Sequence, residues 1–195
     1  MSLYVETLGC GPDLVLLHGW GMNGAVWRHV AAHLAEDYCV HLVDLPGHGR
    51  SGMVEPYTLD ELVREIDAAF PLPLHVVGWS LGGAVALRWA LLQPEKVKSL
   101  TLVASSPCFV QRADWQPAMP AETLAQFFGQ LQTDWRGTLK RFIGLQAIGI
   151  DPALAGQQPY NPGWALRALV TYDRWLYDRT PTRYTPRERM WVALR

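Results

Sequence analysis

Residues 74–92, Leu-His-Val-Val-Gly-Trp-Ser-Leu-Gly-Gly-Ala-Val-Ala-Leu-Arg-Trp-Ala-Leu-Leu, decide the fold. The apolar run Leu74 to Val77 reads as a buried strand, and Ala84 to Leu92 reads as a helix. Between them stands Gly78-Trp79-Ser80-Leu81-Gly82-Gly83, a sharp turn with glycine on both sides of a serine. That context gives a G-x-S-x-G match its meaning, because a strand-to-helix turn of this kind lifts the serine hydroxyl above a sheet as a nucleophile. A glycine-rich turn without chemistry is the alternative. It would not account for a second glycine turn, His18-Gly19-Trp20-Gly21, at the end of an earlier apolar run, Leu14 to Leu17.

Outward from this turn, strands and helices alternate. Ala25 to Leu34 has helical periodicity. Val40 to Val43 is a second strand, and it runs into the Pro-Gly loop Asp44-Leu-Pro-Gly-His-Gly-Arg-Ser51. Thr58-Leu59-Asp60-Glu61 is a capping box, followed at helical spacing by Leu62, Val63, Ile66 and Phe70. Leu100 to Ala104 is a further strand. Near-continuous apolar strands alternating with helices predict a mostly parallel α/β sheet with helices on both faces.

After Ser105 the pattern is helical alone. Leu124, Phe127, Phe128, Leu131 and Trp135 share one helical face, which Leu139, Phe142 and Ile143 extend. This stretch is expected to be a helical lid insertion, its aromatic stripe part core and part wall of an acyl pocket. The expected organisation is a core over residues 1–110, a lid over 111–155, and an atypical segment over 156–195.

The last segment differs in charge. Residues 1–155 carry ten Lys or Arg against fifteen Asp or Glu, whereas residues 156–195 carry seven against three, all seven being Arg. It is also rich in Tyr, Trp and Pro and shows no strand of the expected kind and no clear periodicity. Residues from about Gly156 are therefore expected to be read out of frame or otherwise foreign to the fold, with the sheet truncated before its last strands and Leu100 to Val103 left as an open edge.

A serine hydroxyl needs an imidazole to take its proton and backbone donors to hold the oxyanion. Leu81 supplies one N–H at the start of the helix, and Trp20, in the turn after the first long strand, is placed to supply the second. The base is the difficulty. In this architecture the chain order is Ser, then Asp or Glu, then His, yet all six histidines, at positions 18, 29, 33, 41, 48 and 75, precede Ser80. His18 is expected to support the oxyanion turn, His75 to sit between strands and His48 to belong to its turn. His29 and His33 have the spacing of a zinc helix but lack the intervening glutamate, so no metal and no cofactor are expected.

A net charge of −1 and the lack of a basic stripe give no reason to expect nucleic acid. No signal-like segment or apolar run long enough to span a bilayer occurs, so no membrane is expected. Three cysteines, Cys10, Cys39 and Cys108, without C-x-x-C spacing suit a reducing cytoplasm rather than a disulfide framework.

Taken together, the segments 14–21, 42–51 and 78–83 resemble the α/β-hydrolase superfamily. With Trp20, Trp79, the run Val103-Ala-Ser-Ser-Pro-Cys-Phe109 and Arg141-Phe-Ile-Gly-Leu-Gln146, they resemble its pimeloyl-[acyl-carrier protein] methyl ester esterases. The resemblance covers roughly residues 1 to 155. It implies a serine carboxylesterase of biotin biosynthesis with Ser80 as nucleophile, Trp20 and Leu81 at the oxyanion and substrate site, and Phe142, Ile143, Gly144, Leu145 and Gln146 touching the substrate. The implied partner is an acyl-carrier protein bearing a pimeloyl methyl ester; small esters are further substrates. Two other readings stand beside it: a general short-chain esterase or other α/β-hydrolase, such as a cofactor-free haloperoxidase, and a non-catalytic remnant that binds a carrier or ligand.

Overall fold

The computed structural model describes residues 2–146 and the segment 169–173. They fall into two compact units, one comprising the residues up to Ser105 together with the 169–173 segment and the other beginning at Ser106. In the first, strands β1 (Val5–Leu8), β2 (Asp13–Leu17), β3 (Cys39–Val43), β4 (Leu74–Trp79), β5 (Val97–Val103) and β6 (Leu169–Asp173) form one sheet in the order β1-β3-β2-β4-β5-β6. β2, β3, β4 and β5 are parallel, as the alternation of strands with helices predicts; β1 and β6 close the two sides antiparallel.

Side-chain alternation divides the core into two layers. Val15, Leu17, Val43, Val76, Leu100 and Leu102 turn to the face covered by α2 (Leu59–Ala69) and α3 (Leu81–Leu92), where they meet Leu62, Ile66, Val85 and Trp89. Leu14, Leu16, Val40 and Leu42 turn to the other face, on which a 3₁₀ turn (Gly24–Trp27) and α1 (Arg28–Leu34) bury Trp27 and Ala31. Asp67 ties α2 to α3 and to the turn before β5, accepting from Trp89 Nε1 and from Lys96 Nζ, both at 2.8 Å. Trp89 is fully buried, and truncation of such a side chain costs about 3–5 kcal/mol.

Three expectations need correcting. The helix expected over Ala25–Leu34 is a 3₁₀ turn and then an α-helix, because Asn23 caps Ala25 N–H and tightens the first turn. Only half of the capping box forms: Thr58 Oγ1 accepts from Glu61 N–H, but the Glu61 carboxylate pairs with Arg64 rather than reaching back. The β5 edge is not open. Ser99 to Val103 pair with Asp173 to Leu169 of β6, a segment whose Val170-Thr171-Tyr172 is β-branched and aromatic and so forms a strand inside the charge-reversed segment. The rest of residues 156–195 lies outside the described residues.

The second unit is helical. α4 (Ala121–Thr133) and α5 (Trp135–Gln146) are separated at Asp134, which leaves helical geometry (φ −146°, ψ 78°) and whose carboxylate accepts Gly137 N–H at 2.9 Å. The break corrects the single aromatic stripe. Phe127 meets Phe142 across the two helices with ring centroids 5.7 Å apart, whereas Trp135, at the start of α5, is 57% exposed.

Candidate active site

The site begins where β4 ends. Ser80 has φ 52°, and with Ala104 it is one of two non-glycine residues at positive φ among the described residues. The two follow directly on the cross-strand partners Trp79 and Val103 at the carboxyl ends of β4 and β5. A serine in this region costs energy and persists only where its surroundings hold it. Here Ser80 N–H donates to the Val103 carbonyl at 3.0 Å, and the Ser80 carbonyl accepts from Gly83 N–H at 3.0 Å, Ala84 N–H at 3.2 Å and Ser105 Oγ at 2.8 Å. The hydroxyl of Ser80 is thus free of the duties its backbone performs.

The glycines of the turn answer to close approach. A Cβ on Gly82 would collide with the Leu17 carbonyl, and one on Gly83 with the Ser105 side chain, so α3 seats against β2 and the β5 end only with bare backbone. Gly19 closes the other side: a Cβ there would lie 3.3 Å from Ser80 Cβ and 3.3 Å from the Trp79 ring. Structure therefore brings together Ser80, Leu81 and the His18-Gly19-Trp20 turn, which sequence places about sixty residues apart.

His18 is fully buried. Its Nε2 accepts from Leu45 N–H at 2.9 Å, which fixes the proton on Nδ1, and Nδ1–H donates to the Gly19 carbonyl at 2.7 Å. Burial pushes its pKa down to about 4, so the ring is neutral and both nitrogens are committed to holding the Gly19 turn against the Leu45 strand end. That is a supporting role, not that of a base. His48 stacks edge-on against His18 at 5.2 Å, its Nδ1 3.2 Å from the Pro46 carbonyl, and burial likewise lowers its pKa. His75 pairs with Ser99 Oγ at 2.7 Å across β4 and β5. His29 and His33 lie edge-on at 5.5 Å on exposed α1 positions.

Two residues of this neighbourhood were not singled out by sequence. Asp44 is buried and organises the Pro-Gly loop, accepting from Gly24 N–H at 2.6 Å and Arg50 N–H at 2.8 Å while its carbonyl accepts from Ser51 Oγ at 2.6 Å. An acid at the end of an apolar strand and ahead of Pro-Gly was the available signal. Ser105, which holds the Ser80 carbonyl, had no signal, since its role depends on β5 lying beside β4. Phe142, Ile143, Gly144, Leu145 and Gln146 are on α5 in the second unit; Phe142 and Ile143 are half-buried and Leu145 is 63% exposed.

A strained serine at the carboxyl end of a central parallel strand, opening a helix, defines a class, and the profile of the alpha/beta hydrolase fold matches residues 12–173; the chain belongs to that family. Within it, the chain is 51% identical over 155 residues to the pimeloyl-[acyl-carrier protein] methyl ester esterase of Aeromonas salmonicida, the match covering 78% of this chain and 61% of the relative. It is 49% identical over 153 residues to the esterase of the same name from Chromobacterium violaceum, covering 78% and 60%. The chain thus spans about three-fifths of the length of these relatives. Among solved structures, an esterase from Exiguobacterium antarcticum superposes with TM-score 0.68 at 28% identity, covering 73% of this chain and 56% of that one. The epoxide hydrolase CorEH gives 0.62 at 27% identity, covering 72% and 55%.

Proposed function

We propose that this chain carries the nucleophile and oxyanion half of a serine carboxylesterase that hydrolyses the methyl ester of a pimeloyl chain borne by an acyl-carrier protein. The strained Ser80, held by Val103 and Ser105 and closely approached by Gly19, is the observation that carries the reading. Identity near 50% to esterases of that name over some 150 residues supports the substrate. In the reaction Ser80 Oγ attacks the ester carbonyl and its proton passes to a base. The oxyanion is held by the N–H of Leu81, at a helix N-terminus that favours negative charge, and by the N–H of Trp20 in the turn after β2. Methanol leaves with a proton, and water then cleaves the acyl-serine to the free pimeloyl carboxylate. A substrate-touching role for Phe142 to Gln146, and a lid role for residues 111–155, belong to this proposal and rest on the likeness to those esterases. Free thiols at Cys10, Cys39 and Cys108 support a cytoplasmic setting, and among the described residues no helix is long and apolar enough to cross a membrane.

A second reading, binding without turnover, is favoured by one observation. No histidine follows Ser80, and His18 has both nitrogens engaged. Residues 156–195, foreign in charge to the rest, are the proposed cause. The experiment grafts the C-terminal part of the Aeromonas salmonicida esterase after residue 155 and measures release of methanol from the carrier-bound methyl ester. The graft is expected to turn over and the native chain to be nearly inactive. Ser80→Ala in the graft should remove on the order of 10⁶ in kcat, as loss of a nucleophile does. A folded graft without activity, or one active without Ser80, overturns the assignment; a normal rate in the native chain removes the second reading. Reading the DNA downstream of the Leu154 codon in all three frames tests the origin of the tail.

A further inference from the structure

At the end of the strands opposite Ser80, on the face that carries α2, three potential metal ligands converge. Asp13 pairs directly with Cys39 across the parallel β2–β3 ladder, and His41 follows Cys39 by two residues, so alternation sends all three side chains to one face. A carboxylate oxygen of Asp13, Cys39 Sγ and a ring nitrogen of His41 all lie within 4.8 Å of one another, and all three residues are half-buried. His41 Nε2 faces Asp13 Oδ1 at 2.8 Å. Its Nδ1 is 3.0 Å from the hydroxyl of Thr7, the residue opposite His41 on β1. A hydroxyl on one ring nitrogen fixes the imidazole and aims the other, the arrangement that orients metal-binding histidines. A cavity of about 320 Å³, bordered by Asp13, His41, Thr7, Phe70 and Leu72, opens on the cluster.

We propose that Asp13, Cys39 and His41 bind a borderline divalent transition-metal ion, zinc above all, with a fourth position open toward this cavity. A thiolate, an imidazole and a carboxylate together suit zinc, whereas magnesium and calcium favour oxygen alone. Zinc bonds of about 2.0–2.3 Å set ligand separations of roughly 3.2–3.8 Å, so side-chain adjustment of about an ångström closes the site. Binding releases the thiol proton of Cys39 to solvent, while the neutral His41 ring keeps its proton on Nδ1, facing the Thr7 hydroxyl, and gives Nε2 to the ion. The site joins β2 to β3 and is separate from the Ser80 turn, so it stands whether or not the esterase reading does.

Cobalt(II) is the probe, added to the purified full chain with a non-chelating reductant. One equivalent is expected to give a thiolate-to-cobalt charge-transfer band that zinc removes by displacement. Cys39→Ser should abolish the band. His41→Ala should weaken zinc binding at least tenfold, and Thr7→Val, which leaves all three ligands in place, by roughly ten- to a hundredfold. Cys10→Ser should change neither. Zinc should raise the thermal midpoint of the native chain but not of His41→Ala, since a ligand that binds only the folded state stabilises it. Thr7 is exposed whereas the three ligands are half-buried, so its variant reports on the site even where substitution of a ligand does not fold. Absence of the band, a band that follows Cys10 or Cys108, or zinc affinity unchanged in both His41→Ala and Thr7→Val overturns the proposal.

Discussion

His18 is the residue whose chemistry and position are most tightly bound together. Its neutral ring accepts from Leu45 N–H and donates to Gly19, and protonation of Nε2 would break the first of these bonds inside a dry core. Its pKa falls from 6.5 in the unfolded chain to about 4 in the fold. Between those values the unfolded state binds more protons than the native state, so stability is complete above pH 6.5 and is lost as pH falls toward 4. The loss reaches about 3 kcal/mol from this group alone, at roughly 1.4 kcal/mol per pKa unit. Urea midpoints measured from pH 7 to pH 4.5 should fall steeply for the native chain, and His18→Asn, less stable at pH 7, should flatten that slope. An unaltered slope in the variant would mean that other groups, such as His48, carry the acid sensitivity.

Among the elements, α3 and α4 make opposite demands on glycine. Gly82 lets α3 approach the Leu17 carbonyl, and Gly82→Ala should prevent that docking and leave little folded protein, whatever alanine gains in helix propensity. Gly129, in α4, has nothing within 4 Å of where a Cβ would stand. Gly129→Ala should therefore stabilise α4 by up to about 1 kcal/mol, read as a higher urea midpoint by circular dichroism. On α5, Arg136 lies over the Trp135 ring at 4.8 Å and Lys140 is exposed, while Arg141 is held by Thr138 Oγ1 at 2.9 Å. If an acidic carrier protein docks on α5, Arg136→Glu with Lys140→Glu in the grafted protein should raise KM for the carrier-bound ester, more so at low salt, because such charges steer encounter. A small free methyl ester should be unaffected; equal effects on both would assign the charges to the fold or pocket.

For the whole molecule, the question is how the sheet is closed. β6 hydrogen-bonds along Ser99 to Val103, so part of the charge-reversed segment completes the sheet even though it lies in a stretch of foreign composition. Removing residues 156–195 should strip that partner and leave a hydrophobic edge ready to pair with another copy. Light scattering on warming should rise at lower temperature for the shortened chain than for the full one. A shortened chain that stays monomeric with the same thermal midpoint would show that β6 contributes nothing to the edge.

The sequence by itself determined the parallel α/β core, the Ser80 turn and the role of His18. Each is written in local pattern: unbroken apolar strands, glycines around one serine, a His-Gly turn at a strand end. It did not reveal β1, whose Val5-Glu-Thr-Leu8 is a short mixed run, nor β6, whose strand character is five residues inside an Arg-rich tail. The break at Asp134 was also hidden, because helical spacing continues through it while the side chain caps the next helix. Ser105 beneath the Ser80 carbonyl, the bond from Gly24 N–H to Asp44, and the Asp13, Cys39 and His41 cluster were decided by tertiary structure alone. Ser80 lies 25 residues from Ser105 and Gly24 lies 20 from Asp44, while Asp13 meets Cys39 only across the β2–β3 ladder, so tertiary placement brings these groups within hydrogen-bonding or ligand distance.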